Sequence, residues 1–334
     1  MPAVRNRRRG PGKPRQWGRL LQRGVAAGVG VFVGVSLLNL IWPQSEPTGI
    51  SSEPESVSEL ANLPNRPITL LVIGVDADQL NAPSNEAAPA GPANADALLL
   101  VRVNPEGPLQ VLPLPTSLAV QLPGEERPQS LASLYRSGGV ALTADAVREL
   151  VELPAGRPDR YLVVSRGALR TLVEGLGTVE VNPQRTMRYS DKTQKLEIDL
   201  QAGLQRLSPL QVEHLARWRD PARPLESRLE NHQQVVESLH RELRLQGMST
   251  NLPALLNQLR GQVNTNLSQG EVLSLMAAAL RPDTRVSFTP LPLEPPRRSE
   301  AAKATGLRER AGQLPKPFWP EAGAGDGQAS ATAP

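Results

Sequence analysis

Two arginines separated by one residue form a pattern that could bind phosphate. Residues 215–220 read LARWRD, so Arg217 and Arg219 lie on either side of Trp218. In extended chain, alternate residues share a face and lie ~6.6 Å apart at ~3.3 Å per residue. Two guanidinium groups on one face suit a pyrophosphate, since each can donate paired hydrogen bonds to phosphate oxygens. On spacing alone, the simpler interpretation is a pair of solvated arginines beside Asp220.

The long helix predicted over residues 226–245 adds a histidine and a third arginine. At 100° per residue, His232 falls in the middle of its apolar stripe, with Arg228 at one edge and Gln233 at the other. Arg228 and His232 lie near the helix N-terminus, where the helix dipole favours an anion. The alternative is that His232 is an ordinary core residue with a satisfied hydrogen bond.

Two aspartates stand at the ends of predicted strands. Asp76 follows ITLLVIGV (68–75), and Asp96 precedes ALLLVRV (97–103). Acids at strand ends are a usual way to hold Mg²⁺ or Mn²⁺ that also touches a phosphate. Ordinary turn chemistry, in which aspartate is common, is the alternative. The sequence contains no P-loop, no G-x-S-x-G, no G-x-G-x-x-G and no zinc-type histidine spacing.

Composition excludes several classes of protein. The 334 residues include no cysteine, which rules out disulfides, thiol nucleophiles and cysteine-ligated zinc. The net charge of +4 arises from eight basic residues within residues 1–23; the other 29 basic and 33 acidic residues give −4. An acidic body gives no support to nucleic-acid binding, which needs a basic face.

A membrane anchor is predicted at residues 25–42, which read VAAGVGVFVGVSLLNLIW without a charge. As a helix this segment would span ~27 Å, close to the thickness of the hydrocarbon core. The basic segment 1–24 precedes it, and Trp17 and Trp42 flank it. The positive-inside rule puts the N-terminus in the cytoplasm and the remainder outside, in the periplasm or on the outer face. A cleaved signal peptide would need a small-residue cleavage site, which LIWPQSEP lacks.

The remaining chain divides into a linker, a domain and a tail. Residues 43–66 are rich in proline and serine and predict a linker, and 297–334 predict a disordered tail. Strands and helices alternate in residues 67–296, which predicts a layered α-β-α domain with a central mixed sheet. Its core is 67–245, followed by an extension, 246–296.

The predicted elements have clear boundaries at several points. Strands are expected at 108–114, 179–182, 196–200 and 286–292 besides the two above, and helices at 143–153, 165–177, 208–217, 226–245, 252–260 and 268–281. Thr143, Ser165 and Ser208 are the expected N-caps, and Gly177 the expected stop. Pro209 and Gln211 complete a capping-box signature after Ser208.

The order of these motifs resembles the LytR-CpsA-Psr family of cell-envelope proteins. The likeness rests on LLVIGVDAD, NADALLLVRVNP, VLPLPTSLAVQLPG and, most specifically, LQAGLQRLSPLQVEHLARWRD, over roughly residues 66–245. Residues 263–280 look like an extension found in some members. The resemblance implies a membrane-anchored α/β phosphotransferase that moves a glycopolymer from a polyprenyl-pyrophosphate carrier to peptidoglycan. It further implies that the lipid chain sits in an apolar pocket.

By the same likeness, each candidate residue acquires an expected role. Asp76 and Asp96 would bind the metal, and Arg217 and Arg219 would clamp the pyrophosphate. Arg228 would support them as a catalytic residue. His232 or Gln233 would occupy the place of the family's substrate-binding glutamine.

The sequence departs from the family pattern at several flanking positions. Pro115 is followed by Thr116 and Ser117, where the family usually carries arginine and aspartate. Loss of one charge-stabilising contact in a dry site can cost ~10²–10³ in rate. Three interpretations follow: an active transferase in which Arg102 or Arg136 substitutes, a weakened relative that binds polyprenyl phosphates or organises envelope assembly, or a regulator of transcription. The acidic body and the predicted topology argue against the last.

Overall fold

The computed structural model describes residues 62–80, 92–192, 195–246, 258–259, 261–295, 306–314 and 319. Within these residues the strands are β1 (Ile68–Val75), β2 (Ala95–Val103), β3 (Leu109–Pro113), β4 (Ala119–Val120), β5 (Gln129–Ser130), β6 (Arg160–Val164), β7 (Val179–Val181), β8 (Met187–Asp191), β9 (Leu196–Leu200), β10 (Gln205–Leu207), β11 (Val263–Thr265) and β12 (Val286–Phe288). The helices are α1 (Leu131–Leu150), α2 (Arg166–Gly175), α3 (Pro209–Arg217), α4 (Pro224–Gln246) and α5 (Gln269–Ala279).

A mixed sheet forms the centre of the domain, as the alternation of elements predicts. Its strand order is β11–β6–β1–β2–β3–β12, with β1 antiparallel to β2 and parallel to β6. Leu71 and Ile73 of β1 pack in one buried cluster with Leu131 of α1. Leu70 faces the other way and packs with Leu275 of α5. The sheet is therefore covered on both faces, which explains why β1 is apolar at nearly every position.

Helix α1 begins earlier than the sequence predicts. Ser130, not Thr143, is its N-cap, and the Ser130 hydroxyl accepts a hydrogen bond from Ser133 N at 3.3 Å. Gly139 has φ +61°, a left-handed conformation that kinks the helix and favours glycine. Thr143 is buried within the helix, where its hydroxyl donates to the Gly139 carbonyl at 2.8 Å. The predicted cap is wrong because this hydroxyl bonds backward along the helix.

The other predicted caps, at Ser165, Gly177 and Ser208, are confirmed. Ser165 caps α2, and Gly177 follows it with φ +76°. Ser208 and Gln211 form the capping box that opens α3, and Pro209 is its first residue. Helices α2, α3 and α4 pack with the small sheets β7–β10 and β8–β9 around a second buried cluster that includes Leu215 and Trp218.

Several boundaries differ from the prediction. Strand β2 begins at Ala95, which makes Asp96 its second residue rather than its first, and β12 ends at Phe288 rather than at residue 292. Residues 306–314, expected in a disordered tail, instead pack on the domain: Leu314 is buried in the cluster beneath α1. The predicted membrane helix 25–42 and most of the predicted helix 252–260 lie outside the described residues. None of the helices in the described ranges is long and apolar enough to cross a membrane.

Candidate active site

The two predicted aspartates meet at one edge of the sheet. Asp76 follows β1, and Asp96 is the second residue of β2, the strand that pairs with β1. The turn around Asp76 is fixed by the backbone of Asn94, whose N–H donates to Asp76 Oδ1 at 3.0 Å. Both aspartates line a cavity of about 330 Å³, together with Arg166, Arg217, Arg219, Trp218, Tyr189 and Leu196. We call this space the arginine cavity.

The two carboxyl groups have opposite electrostatic environments. Burial raises the pKa of Asp76 above its usual value, and the nearby charge of Asp96 raises it further. Burial would also raise the pKa of Asp96, but the charge and hydrogen bond of Arg228 outweigh it, and the pKa is lowered. Asp96 is therefore the more readily ionised carboxyl group of the pair. The charged form of Asp76 is less stable, so a nearby cation would stabilise it more.

The arginine pair leaves helix α3 in the extended conformation that the spacing predicts. Trp218 has φ −65° and ψ 141°. Its side chain is buried in the second cluster, and Arg217 and Arg219 both reach the arginine cavity. Arg217 Nη1 donates to Glu213 Oε1 at 3.2 Å, and Arg219 Nη2 lies 3.8 Å from Asp96 Oδ1. The two guanidinium groups therefore face the same space as the two aspartates.

Arg228 touches Asp96 rather than the open cavity. Its buried guanidinium Nη2 donates to both the backbone carbonyl and Oδ1 of Asp96. The structure therefore makes Arg228 a residue that positions Asp96, whereas the sequence analysis placed it among the catalytic residues. A catalytic contact of Arg228 with substrate stays a prediction.

His232 and Gln233 point to different places. His232 is half-buried beside Asp96 and Val236, and its Nε2 lies 3.2 Å from the Ala216 carbonyl. Since a carbonyl oxygen only accepts, Nε2 carries the proton. Burial and the charge of Arg228 lower the pKa of His232 to about 4, so the ring is neutral at pH 7. Gln233 is exposed, bonds Glu237 at 3.0 Å and lines a different cavity; of the two, only His232 lies at the site.

Arg166 is a cavity residue that the sequence analysis missed. It is the first residue of α2, directly after β6, and its charge acts on Asp76. Its Nε is buried and has no hydrogen-bond partner among the described residues. Because β1 and β6 are parallel neighbours, the residues that follow them lie at the same edge. Strand β6 is not among the strands predicted from the sequence, so Arg166 could not be placed near Asp76. The available signal was a basic residue soon after the apolar run YLVV (161–164).

Glu213 is a second missed residue, and it organises the arginines. Its buried carboxylate bonds Arg170 and Arg217 and lies 3.7 Å from Arg166 Nη1. The spacing of four residues between Glu213 and Arg217 on one helix was the sequence signal. Asp78 adds a more exposed acid, which pairs with Arg170 at 2.7 Å.

An apolar pocket of about 150 Å³ adjoins the arginine cavity. It lies between the sheet and helices α2, α3 and α4, and its lining includes Leu99, Leu169, Val235 and Val236. Asp96, Arg166 and Arg217 line both spaces. A ligand with an ionic head and an apolar chain could therefore occupy both.

The aspartates form a partial ligand set for a divalent cation. Within the described residues, no group of three or more His, Cys, Asp or Glu side chains is placed to hold a metal ion. Mg²⁺ commonly takes one or two carboxylates and completes its coordination with water and phosphate oxygens. Asp76 and Asp96 fit that pattern, because they approach closely enough for one charge to raise the pKa of the other group.

The turn after β3 carries neutral residues where the family pattern expects charges. The carbonyl of Ser117 accepts a hydrogen bond from Arg308 N at 2.9 Å, so residues 306–314 are tied to this turn. Arg102 lies near the other end of β2 from Asp96 and cannot substitute there. Arg166 supplies the additional cation that lines the cavity.

Comparisons with known proteins agree with this architecture. A model of the LytR_cpsA_psr family matches residues 44–311. The polyisoprenyl-teichoic acid–peptidoglycan teichoic acid transferase TagU of Enterococcus faecalis is 24% identical over 212 residues, covering 62% of this chain and 64% of TagU. The alignment thus spans slightly less than two thirds of that relative.

Solved structures share the fold. B. subtilis TagV superposes with a TM-score of 0.57 at 16% identity, covering 74% of this chain and 92% of that chain. A LytR-Csp2A-Psr enzyme from Actinomyces oris superposes with a TM-score of 0.54 at 18% identity, covering 73% and 85%.

Proposed function

The chain belongs to the LytR-CpsA-Psr family, and from that membership we propose that it is a cell-envelope glycopolymer transferase. Its donor would be a glycopolymer on a polyprenyl-pyrophosphate carrier, and its acceptor would be peptidoglycan. The relative TagU is named for transfer of teichoic acid to peptidoglycan. The observation that carries the proposal is the convergence of Asp76, Asp96, Arg217 and Arg219 on one cavity.

The arginines would bind and polarise the pyrophosphate. Transfer forms a bond between an acceptor hydroxyl oxygen and the phosphorus that carries the glycopolymer. The bond from that phosphorus to the bridging oxygen breaks, polyprenyl phosphate leaves, and the hydroxyl proton passes to solvent or a nearby base. Because such transition states spread negative charge over phosphate oxygens, fixed guanidinium groups lower the barrier. Arg217 and Arg166 are held by Glu213, so little reorganisation is needed during the reaction.

A bound Mg²⁺ or Mn²⁺ would neutralise part of the pyrophosphate charge. Asp76 and Asp96 are the residues that would hold it. Arg228 would keep Asp96 in place through its buried hydrogen bonds. The apolar pocket lined by Val235 and Val236 would receive the first part of the polyprenyl chain.

We propose a single-pass protein of the cytoplasmic membrane with its N-terminus inside. Residues 25–42 would be the membrane helix, and the domain would face the periplasm or the cell exterior. This placement puts the cavity on the side where peptidoglycan is assembled and near the membrane that carries a polyprenyl donor. The uncharged stretch and the eight preceding basic residues support it.

A second candidate function is lipid-diphosphate binding without turnover. Thr116 and Ser117 are neutral, and Asp96 is already bonded to Arg228. A site of this kind could hold polyprenyl phosphates, or scaffold envelope assembly, while lacking full charge stabilisation.

The test is a transfer assay on the full chain in detergent micelles with MgCl₂. A short-chain polyprenyl-pyrophosphate disaccharide and a soluble peptidoglycan fragment are supplied, and glycosyl-phosphate transfer is followed by mass spectrometry. We expect Arg217→Ala and Asp96→Ala to lower transfer at least ~10²-fold. Arg148→Ala is the matched control, because Arg148 pairs with Asp145 on the surface of α1 and lines none of these cavities.

The outcomes separate the two candidates. Transfer that both site variants abolish supports the enzyme. Donor binding that Arg217→Ala weakens, without transfer, supports the binding protein. If wild type neither transfers nor binds the donor, the assignment of the site is wrong.

A further inference from the structure

A third cavity shares Trp218 with the arginine cavity. It has a volume of about 300 Å³ and lies between the segment leading into β8 and the outer face of α4. Its lining carries four amide side chains (Gln184, Asn231, Gln233 and Gln234), three charged ones (Arg185, Glu230 and Glu237), and Met187, Ser227 and Trp218. We call it the amide groove, because amides are the most numerous polar side chains in its lining.

The groove offers amide groups beside a few charged side chains, most of which are paired. Arg185 is paired with Asp220, and Glu230 with Arg223. Glu237 accepts a hydrogen bond from Gln233 at 3.0 Å. Glu237 keeps its negative charge, because a hydrogen bond from a neutral amide does not neutralise a carboxylate. The groove therefore combines this charge with amides, which both donate and accept. That chemistry matches a ligand rich in hydroxyl and acetamido groups better than a phosphate.

One group in the groove lacks a partner. Gln234 Nε2 donates to the Asn182 carbonyl at 3.0 Å, which fixes the orientation of the amide. Gln234 Oε1 is then buried and has no hydrogen-bond partner among the described residues. A buried acceptor without a donor is costly. This oxygen has no surface open to the groove, so a ligand hydroxyl or N–H would reach it only after the side chain turns toward the groove.

The groove is next to the reaction centre. Trp218 lines both the amide groove and the arginine cavity, and Arg217 and Arg219 are its chain neighbours. A molecule seated in the groove could therefore extend past Trp218 toward the donor phosphate. An acceptor must approach the phosphorus from a side that the donor's own lipid does not fill. The apolar pocket, which would hold that lipid, lies against the sheet rather than at the amide groove.

We propose that the amide groove binds the glycan chain of the acceptor, an alternating polymer of N-acetylated hexosamines, and directs one of its hydroxyl groups toward the arginine cavity. This inference rests on the proposed function for its role, although the binding itself can be measured without any reaction. Gln234 and Gln184 would contact the sugar hydroxyl and acetamido groups, and Trp218 would form the wall between acceptor and donor.

Direct binding tests the inference independently of transfer. Full chain in micelles, without donor or metal, is titrated with peptidoglycan glycan oligomers stripped of their stem peptides, and binding is followed by calorimetry. In parallel, the free stem peptide is titrated as a second probe. Gln234→Ala and Gln184→Ala are compared with Gln201→Ala, an exposed glutamine outside the groove that bonds Asp199.

We expect the glycan to bind wild type, with Kd raised about fivefold by each groove variant and unchanged by Gln201→Ala. Thermal unfolding of each variant checks that the fold is intact, and donor binding to the arginine cavity should stay within about twofold of wild type. No glycan binding up to about 5 mM, equal binding by all variants, or groove-dependent binding of the stem peptide instead would each overturn the proposal. If the glycan binds in this pattern but the protein has no transferase activity, the groove is supported and the proposed function is wrong.

Discussion

Replacing Glu213 by glutamine removes the negative charge that holds three arginines. The side chain of Glu213 is only 4% exposed, and it faces Arg166, Arg170 and Arg217. Glutamine has nearly the same shape and can accept one hydrogen bond through Oε1. Its Nε2 hydrogens, however, would point toward a guanidinium. The remaining acid in the network, Asp78, has a side chain 60% exposed and cannot compensate for a buried charge.

The expected loss of stability follows from this burial. Removing one partner of a buried ion pair costs about 3–5 kcal/mol, because the other charges remain buried without compensation. Arg170 and Arg166 are partly exposed and can move toward water, so the lower end, about 3 kcal/mol, is expected. For a domain of this size that corresponds to a fall in Tm on the order of 10 °C.

Glu230→Gln provides the matched control. Glu230 pairs with Arg223 on the surface, and its side chain is 57% exposed. Breaking such a pair costs less than about 1 kcal/mol. Both variants and wild type would be compared by urea unfolding monitored by circular dichroism, with Tm measured in parallel. Equal losses for Glu213→Gln and Glu230→Gln would refute the view that Glu213 organises the site.

Three further predictions concern other parts of the molecule. Arg166→Ala should weaken donor binding about tenfold, with partial recovery in Arg166→Lys, which restores charge but not the planar fork, measured by calorimetry. His232→Gln should reduce the acid sensitivity of the fold. The folded-state pKa of about 4 lies below the unfolded value of 6.5, so wild type loses stability as pH falls from 6.5 toward 4. The loss between pH 7.5 and 5 should be about 2 kcal/mol smaller in the variant by urea unfolding. Leu314→Ala should cost about 2 kcal/mol because Leu314 is buried in the main core, whereas Leu210→Ala, at a side chain 52% exposed in α3, should change the unfolding free energy by less than about 0.5 kcal/mol.

Local signals predicted the elements that present the arginine pair. The capping box at Ser208 and Gln211 fixes where α3 begins, and nine residues later the chain leaves the helix at Arg217. These interactions join residues only a few positions apart, so the local sequence is enough to predict where the helix begins. His232 was likewise placed correctly by the periodicity of α4, which needs no knowledge of distant elements.

Contacts between distant residues were beyond such reasoning. Arg170 and Glu213 are 43 positions apart in the sequence, and their pairing depends on how α2 packs against α3. Thr143 was assigned as a cap because its residue type suits one, although its hydroxyl bonds inside a helix that begins earlier. The composition of residues 297–334 hides the apolar contacts of Leu314 and Trp319, because an average over the whole segment does not register a few packed side chains.

The strand order also sets when the domain can be completed during synthesis. Both edge strands of the sheet, β11 and β12, come late in the chain, after every strand they flank. Leu314 is made later still, yet it packs in the main core. A nascent chain that has reached residue 246 therefore carries β3 and β6 as open edges over an unfinished core. Open edges pair readily with other chains, so β3 and β6 are exposed to such pairing until β11 and β12 have been made and have packed.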